Sequence, residues 1–313
     1  MCYRWAVFRG SSIMNRGRHM LSPTEVWALF RQPIHAFLSG DCAVVESPTL
    51  IQFESQIPPE MMGLLHHIRL ASGQTSSDFA EEKWTENVHS HLERIAVMTG
   101  VWGEFDGPPP LVFKGADFVE NLYHDPGIRQ SVDIDLCLPG KKMDAFLEHF
   151  GEEVKWADPP QYERFPSDTL YAHGVNLRGI SVDIHRAFEP LHRCRLDAEK
   201  VYQRSELGRL GACPVRFPCA QDRLLLWLIN LIKAGSTPDP MALIDLSMIL
   251  RKLGVMTAQG NYEALIEHAR EHQLLSALMW AIDRLKESLL WPGQYPTANG
   301  WVDSARRRTL HQV

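Results

Sequence analysis

Hydrophobic positions follow a helical period at both ends of this chain and a strand period in its middle. Before residue 108, two segments have clear helical spacing (60–72 and 78–99), the SPTE signature predicts a further helix over 22–31, and 43–53 has an extended pattern. From Ala220 onward, short breaks separate four helical segments: 220–234, 239–253, 261–271 and 273–290. We therefore predict an α+β protein with a helical N-terminal region (1–107), an α/β core (108–218) and a helical C-terminal region (219–313).

The predicted core is organised around the stretch from Leu111 to Leu138, LVFKGADFVENLYHDPGIRQSVDIDLCL. Its pattern predicts a short apolar strand, a Lys-Gly turn, an amphipathic helix, a loop and a second strand over 131–138. Side chains two positions apart on a strand project from the same face. We therefore expect the carboxylates of Asp133 and Asp135 to point the same way, close enough to share a divalent cation.

A third carboxylate follows in the alternating segment 177–188, LRGISVDIHRAF, which predicts another strand. Asp183 is centred in this strand, and His185 lies on the same face. If the two strands are antiparallel neighbours, three carboxylates converge, and such a cluster resists joint ionisation unless a cation neutralises it. Mg²⁺ suits the cluster because it takes oxygen ligands and binds phosphates at its open positions. The alternative is that these aspartates lie at strand ends or face solvent and bind nothing.

The overall composition narrows the class of protein. A net charge of −6 over 313 residues argues mildly against duplex nucleic acid as a partner, and no apolar run approaches the ~18 residues of a membrane span. Six cysteines without a CxxC pair fit a reducing, cytoplasmic compartment. The first twenty residues carry four arginines and no acidic residue. We expect a frayed terminus or a true start at Met14 or Met20, with a targeting peptide as the alternative.

The order of these motifs resembles that of the uncharacterised nucleotidyltransferase family within the DNA polymerase beta superfamily. The resemblance rests on four motifs in the central region: VFKG at 112–115, LYHDPGIR at 122–129, DID at 133–135 and VDIH at 182–185. The helical segment AQDRLLLWLINLIKAG also resembles the family, in which a His commonly stands at the position of Asn230. The resemblance covers about residues 108–255.

The resemblance implies a mixed sheet of about five strands with helices on one side. It also implies transfer of a nucleoside monophosphate from an NTP, such as ATP, with Mg²⁺ or Mn²⁺ as the metal. The resemblance further implies that Asp133 and Asp135 bind two metal ions that bracket the triphosphate. Asp183 binds the catalytic ion and acts on the acceptor's proton, so that the reaction is an in-line displacement between two metals.

Further residues of the motifs are candidates for the nucleotide site. Gly115 allows backbone N–H groups to approach a phosphate, and Lys114 is either a phosphate contact or is aimed elsewhere by its strand position. Arg129 is expected to contact the triphosphate or brace the carboxylates, and Ser131 to hydrogen-bond a phosphate or ligand. His185 is expected to support the site or the acceptor, with a buried histidine bonded to a neighbouring strand as the alternative.

One departure from the superfamily pattern keeps two other functions open. The superfamily usually has Gly-Ser at the turn where this chain has Gly115-Ala116. The missing hydroxyl favours, as a second hypothesis, a nucleotide-binding module without turnover; a metal-dependent phosphohydrolase using the same carboxylates is the third. For a transferase, the acidic net charge favours a small-molecule or protein acceptor over nucleic acid. Asp245, in the C-terminal helices, is interpreted as structural.

Overall fold

The computed structural model describes residues 33–34, 36–38, 57–151, 155–156, 172–188, 194–234, 239–255 and 262–288. The helix predicted over 22–31 and the extended stretch predicted at 43–53 lie outside the described residues.

Along the chain, helices precede the strands, lie between them and follow them. In chain order they are α1 (Met62–Ala71), α2 (Asp78–Glu104), α3 (Gly115–Phe118), α4 (Lys141–Phe150), α5 (Ala198–Arg204), α6 (Ala220–Ala234), α7 (Pro240–Lys252), α8 (Tyr262–Glu271) and α9 (Leu275–Glu287). A 3₁₀ turn, Pro59–Met61, precedes α1, and a π-helical segment, Val119–Tyr123, continues α3. The helices predicted over the C-terminal region are confirmed, with α6 having the predicted bounds.

In the described part of the chain, seven strands form one mixed sheet. They are β1 (Leu111–Phe113), β2 (Ile134–Cys137), β3 (Lys155–Trp156), β4 (Ala172–Leu177), β5 (Ile180–His185), β6 (Glu206–Leu210) and β7 (Cys213–Phe217). Their order across the sheet is β3-β4-β5-β2-β1-β7-β6. The β2–β5 and β1–β7 pairs are parallel and the other pairs are antiparallel. The predicted α+β class is confirmed, and the sheet is larger than the five strands expected.

The additional strands include the β6–β7 hairpin, which the sequence pattern did not reveal. Its turn contains Gly211, whose φ of +61° favours glycine, and β7 continues the sheet beside β1. Gly208 and Pro214 interrupt the hydrophobic alternation within the two strands, and both residue types weaken a strand signal. The hairpin is therefore recognisable from its pairing rather than from its local pattern.

Both faces of the sheet are covered by helices, so the expectation of helices on one side is wrong. On one face, Val112, Ile134 and Leu136 share a core with residues of α2 and α4. On the other face, Leu111 and Phe113 share a larger core with residues of α1 and of the C-terminal helices. The central strands are apolar on both sides, which is typical of sheets buried between two layers. Asp135 and Asp183 interrupt the apolar surface of this second face.

The larger core contains residues from each of the three sequence regions. It reaches from Ile34 through Phe113 to Leu285, and these residues are buried. The division of the chain into regions at 107/108 and 218/219 stays a prediction. None of the helices in the described ranges is both long and apolar enough to cross a membrane.

Candidate functional site

The predicted carboxylates meet where β2 and β5 lie side by side. The two strands are parallel, and Asp135 lies directly opposite Asp183. The antiparallel pairing considered from the sequence is therefore wrong. Ligand atoms of Asp135, Asp183 and His185 all lie within 4.8 Å of one another. Because β2 begins at Ile134, Asp133 immediately precedes the strand and does not lie within it. The predicted strand bounds of 131–138 were therefore too wide.

Asp135 is held by a cation and an imidazole. The Lys114 Nζ donates a short hydrogen bond to Asp135 Oδ1, and His185 Nε2 lies 3.1 Å from the same oxygen. Burial by itself would raise the pKa of Asp135, but Lys114 and His185 lower it to about 2. Burial lowers the pKa of His185 to about 4 and outweighs its bond to Asp135. The imidazole is thus neutral at pH 7 and donates through Nε2 to the carboxylate.

The pKa of Asp133 is raised, in contrast to that of Asp135. Burial and the neighbouring charge of Asp135 raise its pKa, while Lys114 and Arg94 act in the other direction. The Ser131 hydroxyl donates to the backbone carbonyl of Asp133 at 2.9 Å and so fixes the chain just before β2. Ser131 therefore contacts the backbone of the site, and its hydrogen bond to a phosphate or ligand stays a prediction.

The turn between β1 and α3 requires its glycine. A Cβ on Gly115 would lie 2.5 Å from Ser131 Oγ and 3.3 Å from Arg129 Nη1. Lys114, directly before it, has φ 57° and ψ −127°, a backbone conformation that residues other than glycine rarely adopt. The backbone of this turn therefore lies very close to the loop before β2. The predicted approach of its N–H groups to a phosphate stays a prediction.

Arg129 forms an ion pair away from the carboxylate cluster. Its Nε and Nη2 each donate to Asp245 on α7 at 3.0 Å, and Tyr123 Oη donates to Asp245 Oδ1 at 2.7 Å. Among the described residues the Arg129 guanidinium bonds Asp245 and the Gln130 carbonyl at 3.0–3.1 Å, in place of the predicted brace on the site carboxylates. Its contact with a triphosphate stays a prediction. Asp245 is 2% exposed, in agreement with its interpretation as structural.

A cavity of about 360 Å³ adjoins the cluster. Its lining residues come from the 3₁₀ turn, the β1–α3 junction, the loop before β2, β2 itself, α6 and the start of α7. They are Glu60, Lys114, Gly115, Phe118, Arg129, Gln130, Ser131, Val132, Asp133, Asp135, Trp227, Asn230, Asp239, Met241, Ala242 and Asp245. The cavity thus connects the carboxylates with a space between the sheet and the C-terminal helices that can hold an organic ligand.

The donor set fits a hard divalent cation. Asp133, Asp135 and Asp183 offer carboxylate oxygens, the ligands preferred by Mg²⁺ and accepted by Mn²⁺. The ammonium of Lys114 is attracted by all three carboxylates, so the cluster already attracts a positive charge.

A second group of possible ligands, His268, Glu271 and His272, lies on the C-terminal helices. Its glutamate side chain is 63% exposed, and none of the three residues lines the cavity. This group is therefore separate from the candidate site.

Sequence reasoning missed the residues that join the central unit to the C-terminal helices. The Asp117 carboxylate on α3 accepts from Arg223 Nε at 2.6 Å and Nη2 at 2.7 Å, and both side chains are buried. Trp227 and Asp239 contribute walls of the cavity. The sequence offered one signal, since Arg223 directly precedes the apolar run 224–229 and a charge buried there needs a partner.

The fold and the site define an α+β protein in which a strand–turn–helix unit places clustered acidic side chains beside a cavity. The family model described as uncharacterised nucleotidyltransferase matches residues 83–289, more than half of the chain. The chain belongs to this family, and the resemblance derived from the motifs is confirmed. Comparison with curated proteins gives no match. Family membership supports nucleotidyl transfer as the general function.

Proposed function

We propose that this protein is a Mg²⁺-dependent nucleotidyltransferase that moves a nucleoside monophosphate from an NTP to a small-molecule or protein acceptor. The observation that carries the proposal is the meeting of Asp135, Asp183 and His185, whose ligand atoms lie within 4.8 Å of one another, beside a cavity that Asp133 and Asp135 line. Mn²⁺ is the alternative ion, and ATP is one of the candidate donors. The family supports the transferase class, and the carboxylate oxygens support the choice of metal.

In this proposal, the carboxylates of Asp133, Asp135 and Asp183 would hold the divalent ions. Bound metal would neutralise charge that develops on the phosphate oxygens and the leaving group. His185 orients Asp135 through its Nε2–H bond and remains neutral, because burial holds its pKa near 4. Gly115 lines the cavity, and in this proposal the backbone of its turn meets the phosphates.

The proposed reaction is a displacement at the α-phosphorus. An acceptor oxygen or nitrogen forms a bond to this phosphorus while the bond to the bridging oxygen of the β-phosphate breaks, and pyrophosphate leaves. Asp183 accepts the proton that the acceptor loses. Positioning and charge stabilisation supply most of the catalysis in such reactions.

The net charge and the cysteines support the choice of acceptor and of compartment. The net charge of −6 disfavours a nucleic-acid acceptor, whose phosphates would be repelled. The free thiols of Cys137, Cys194, Cys213 and Cys219 support a reducing, cytoplasmic compartment.

A nucleotide-binding protein without turnover is the second candidate, and a specific observation favours it. Ala116 occupies the position where the superfamily usually has serine, and it is 2% exposed within the core under the sheet. This position therefore supplies no hydroxyl to a phosphate. The two candidates share nucleotide binding and differ in whether pyrophosphate is released.

The test is incubation of the purified protein with each α-³²P-labelled NTP, Mg²⁺ or Mn²⁺, and panels of hydroxyl- and amine-bearing small molecules and proteins. We expect labelled product together with pyrophosphate, and loss of both in Asp133→Asn, Asp135→Asn and Asp183→Asn. Asp144→Asn is the matched control because Asp144 is 56% exposed and pairs with Arg186 on the surface.

Three results would redirect the assignment. Transfer that survives Asp135→Asn and Asp183→Asn would refute this site. Nucleotide binding without pyrophosphate from any acceptor would support the non-catalytic candidate. Release of inorganic phosphate in place of pyrophosphate would indicate a phosphohydrolase.

A further inference from the structure

We propose that Lys114 is an internal cation that occupies the carboxylate cluster until a nucleotide arrives, so that divalent-metal binding depends on the triphosphate. This inference rests on the proposed function, because it assumes that the cluster binds metal and that the cavity receives phosphates. It adds that the two ligands must bind together, and it names the residue responsible.

The position of Lys114 links the cluster to the cavity. The residue lies between the end of β1 at Phe113 and the start of α3 at Gly115, with 21% of its side chain exposed. Its ammonium contacts Asp135, whose side chain is 4% exposed, and the residue also lines the cavity. A flexible lysine stem anchored here can place its charge either on Asp135 or on a group in the cavity.

The backbone at Lys114 indicates that this side chain has a specific use. With φ 57° and ψ −127°, the residue adopts a conformation that suits glycine and that is strained for any other residue. Such strain concentrates at functional sites, because the surrounding structure must compensate for it. A glycine would satisfy the turn without strain, but it would supply no positive charge to the three carboxylates.

Charge balance explains why metal and Lys114 compete. The cluster offers three carboxylates, and Lys114 neutralises part of their charge at the oxygen of Asp135 that also receives His185. A divalent ion on Asp135 would approach this ammonium, and like charges at such a distance repel strongly where water is scarce. Metal can therefore bind well only if Lys114 leaves Asp135.

A triphosphate gives Lys114 an alternative partner. Among the described residues that line the cavity, the cationic side chains are Lys114 and Arg129. Arg129 is committed to Asp245, and its departure would leave that buried carboxylate without its counter-charge. Lys114 can move without this penalty, since the metal replaces it on Asp135 while the phosphate receives its ammonium. Binding of either ligand therefore favours the other, by the same factor in both directions.

The test measures Mn²⁺ binding to nucleotide-free protein by calorimetry, for the wild type and for Lys114→Met. We expect the variant to bind Mn²⁺ about 10- to 100-fold more tightly, the equivalent of one charge-assisted hydrogen bond that no longer has to be broken. An α,β-methylene NTP should strengthen Mn²⁺ binding to the wild type and have a smaller effect on the variant. Lys142→Met is the matched control, because Lys142 pairs with Glu199 outside the cavity.

Two further variants keep the test decisive. Lys114→Gly removes the ammonium and suits the backbone conformation, so it replaces Lys114→Met if the latter does not fold. Asp183→Asn combined with Lys114→Met should abolish Mn²⁺ binding.

If Mn²⁺ binding depends on Asp183 but neither Lys114 variant binds it more tightly than the wild type, the Lys114 inference is overturned. The metal site of the proposed function fails instead if Mn²⁺ does not bind to any form, or if its binding is indifferent to Asp183→Asn.

Discussion

Replacing Asp245 by asparagine should destabilise the protein by leaving Arg129 as a buried charge without a counter-ion. Asparagine has nearly the same shape as aspartate and can still accept from Tyr123, so the change removes mainly the negative charge. The side chain of Asp245 is 2% exposed and that of Arg129 is 20% exposed. Their contacts of 3.0–3.1 Å join the loop before β2 to α7.

The expected magnitude follows from the burial of this pair. Breaking a buried ion pair by removing one partner costs about 3–5 kcal/mol. The partial exposure of Arg129 lets water stabilise its charge, which places the expected loss of unfolding free energy near the lower limit, at about 3 kcal/mol. A double variant, Asp245→Leu with Arg129→Met, should recover most of this loss because it leaves no unpaired charge.

The assay is urea unfolding followed by tryptophan fluorescence and circular dichroism. Glu104→Gln is the matched control, because Glu104 forms two hydrogen bonds with Arg178 at the surface and its side chain is 54% exposed. Such a pair contributes about 0–1 kcal/mol. If Asp245→Asn loses no more stability than Glu104→Gln, the argument that burial makes the Arg129–Asp245 pair structural is refuted.

Three other perturbations test the remaining contacts. Gly115→Ala should lower stability by about 1–3 kcal/mol and weaken nucleotide binding, because its Cβ would lie 2.5 Å from Ser131 Oγ; Ser131→Gly should restore both, and a tolerated Gly115→Ala would contradict the close approach. Asp117→Asn should cost about 3–5 kcal/mol in urea unfolding, because it leaves Arg223 buried and unpaired; a loss below about 1 kcal/mol would show that the pair is dispensable. Burial lowers the pKa of His66 from 6.5, so the unfolded state binds more protons just below this pH and stability should fall as the solution is acidified. His66→Leu should flatten this pH dependence in a urea series, and an unchanged slope would rule out the assignment.

Local sequence patterns anticipated much of the secondary structure but misjudged some element ends. The alternation around Asp183 predicted β5, and the apolar positions after Ala220 predicted the C-terminal helices. The helix predicted to stop at 99 continues to Glu104, because Val101 and Trp102 pack in the core beneath the sheet. Tertiary packing there outweighs the low helix propensity of Gly100 and Gly103.

The sequence by itself determined the family, the α+β class and the presence of acidic side chains on strand segments, because motif order and hydrophobic period are local properties. Only the tertiary structure decided that Asp135 faces Asp183 across a parallel pair, that Lys114 contacts Asp135 and that Arg129 belongs to Asp245. These partners are separated by 48, 21 and 116 residues. Their contacts depend on strand register and on how α7 docks against the loop before β2. A periodicity of two or 3.6 residues specifies which face a side chain occupies, but not which distant element that face meets.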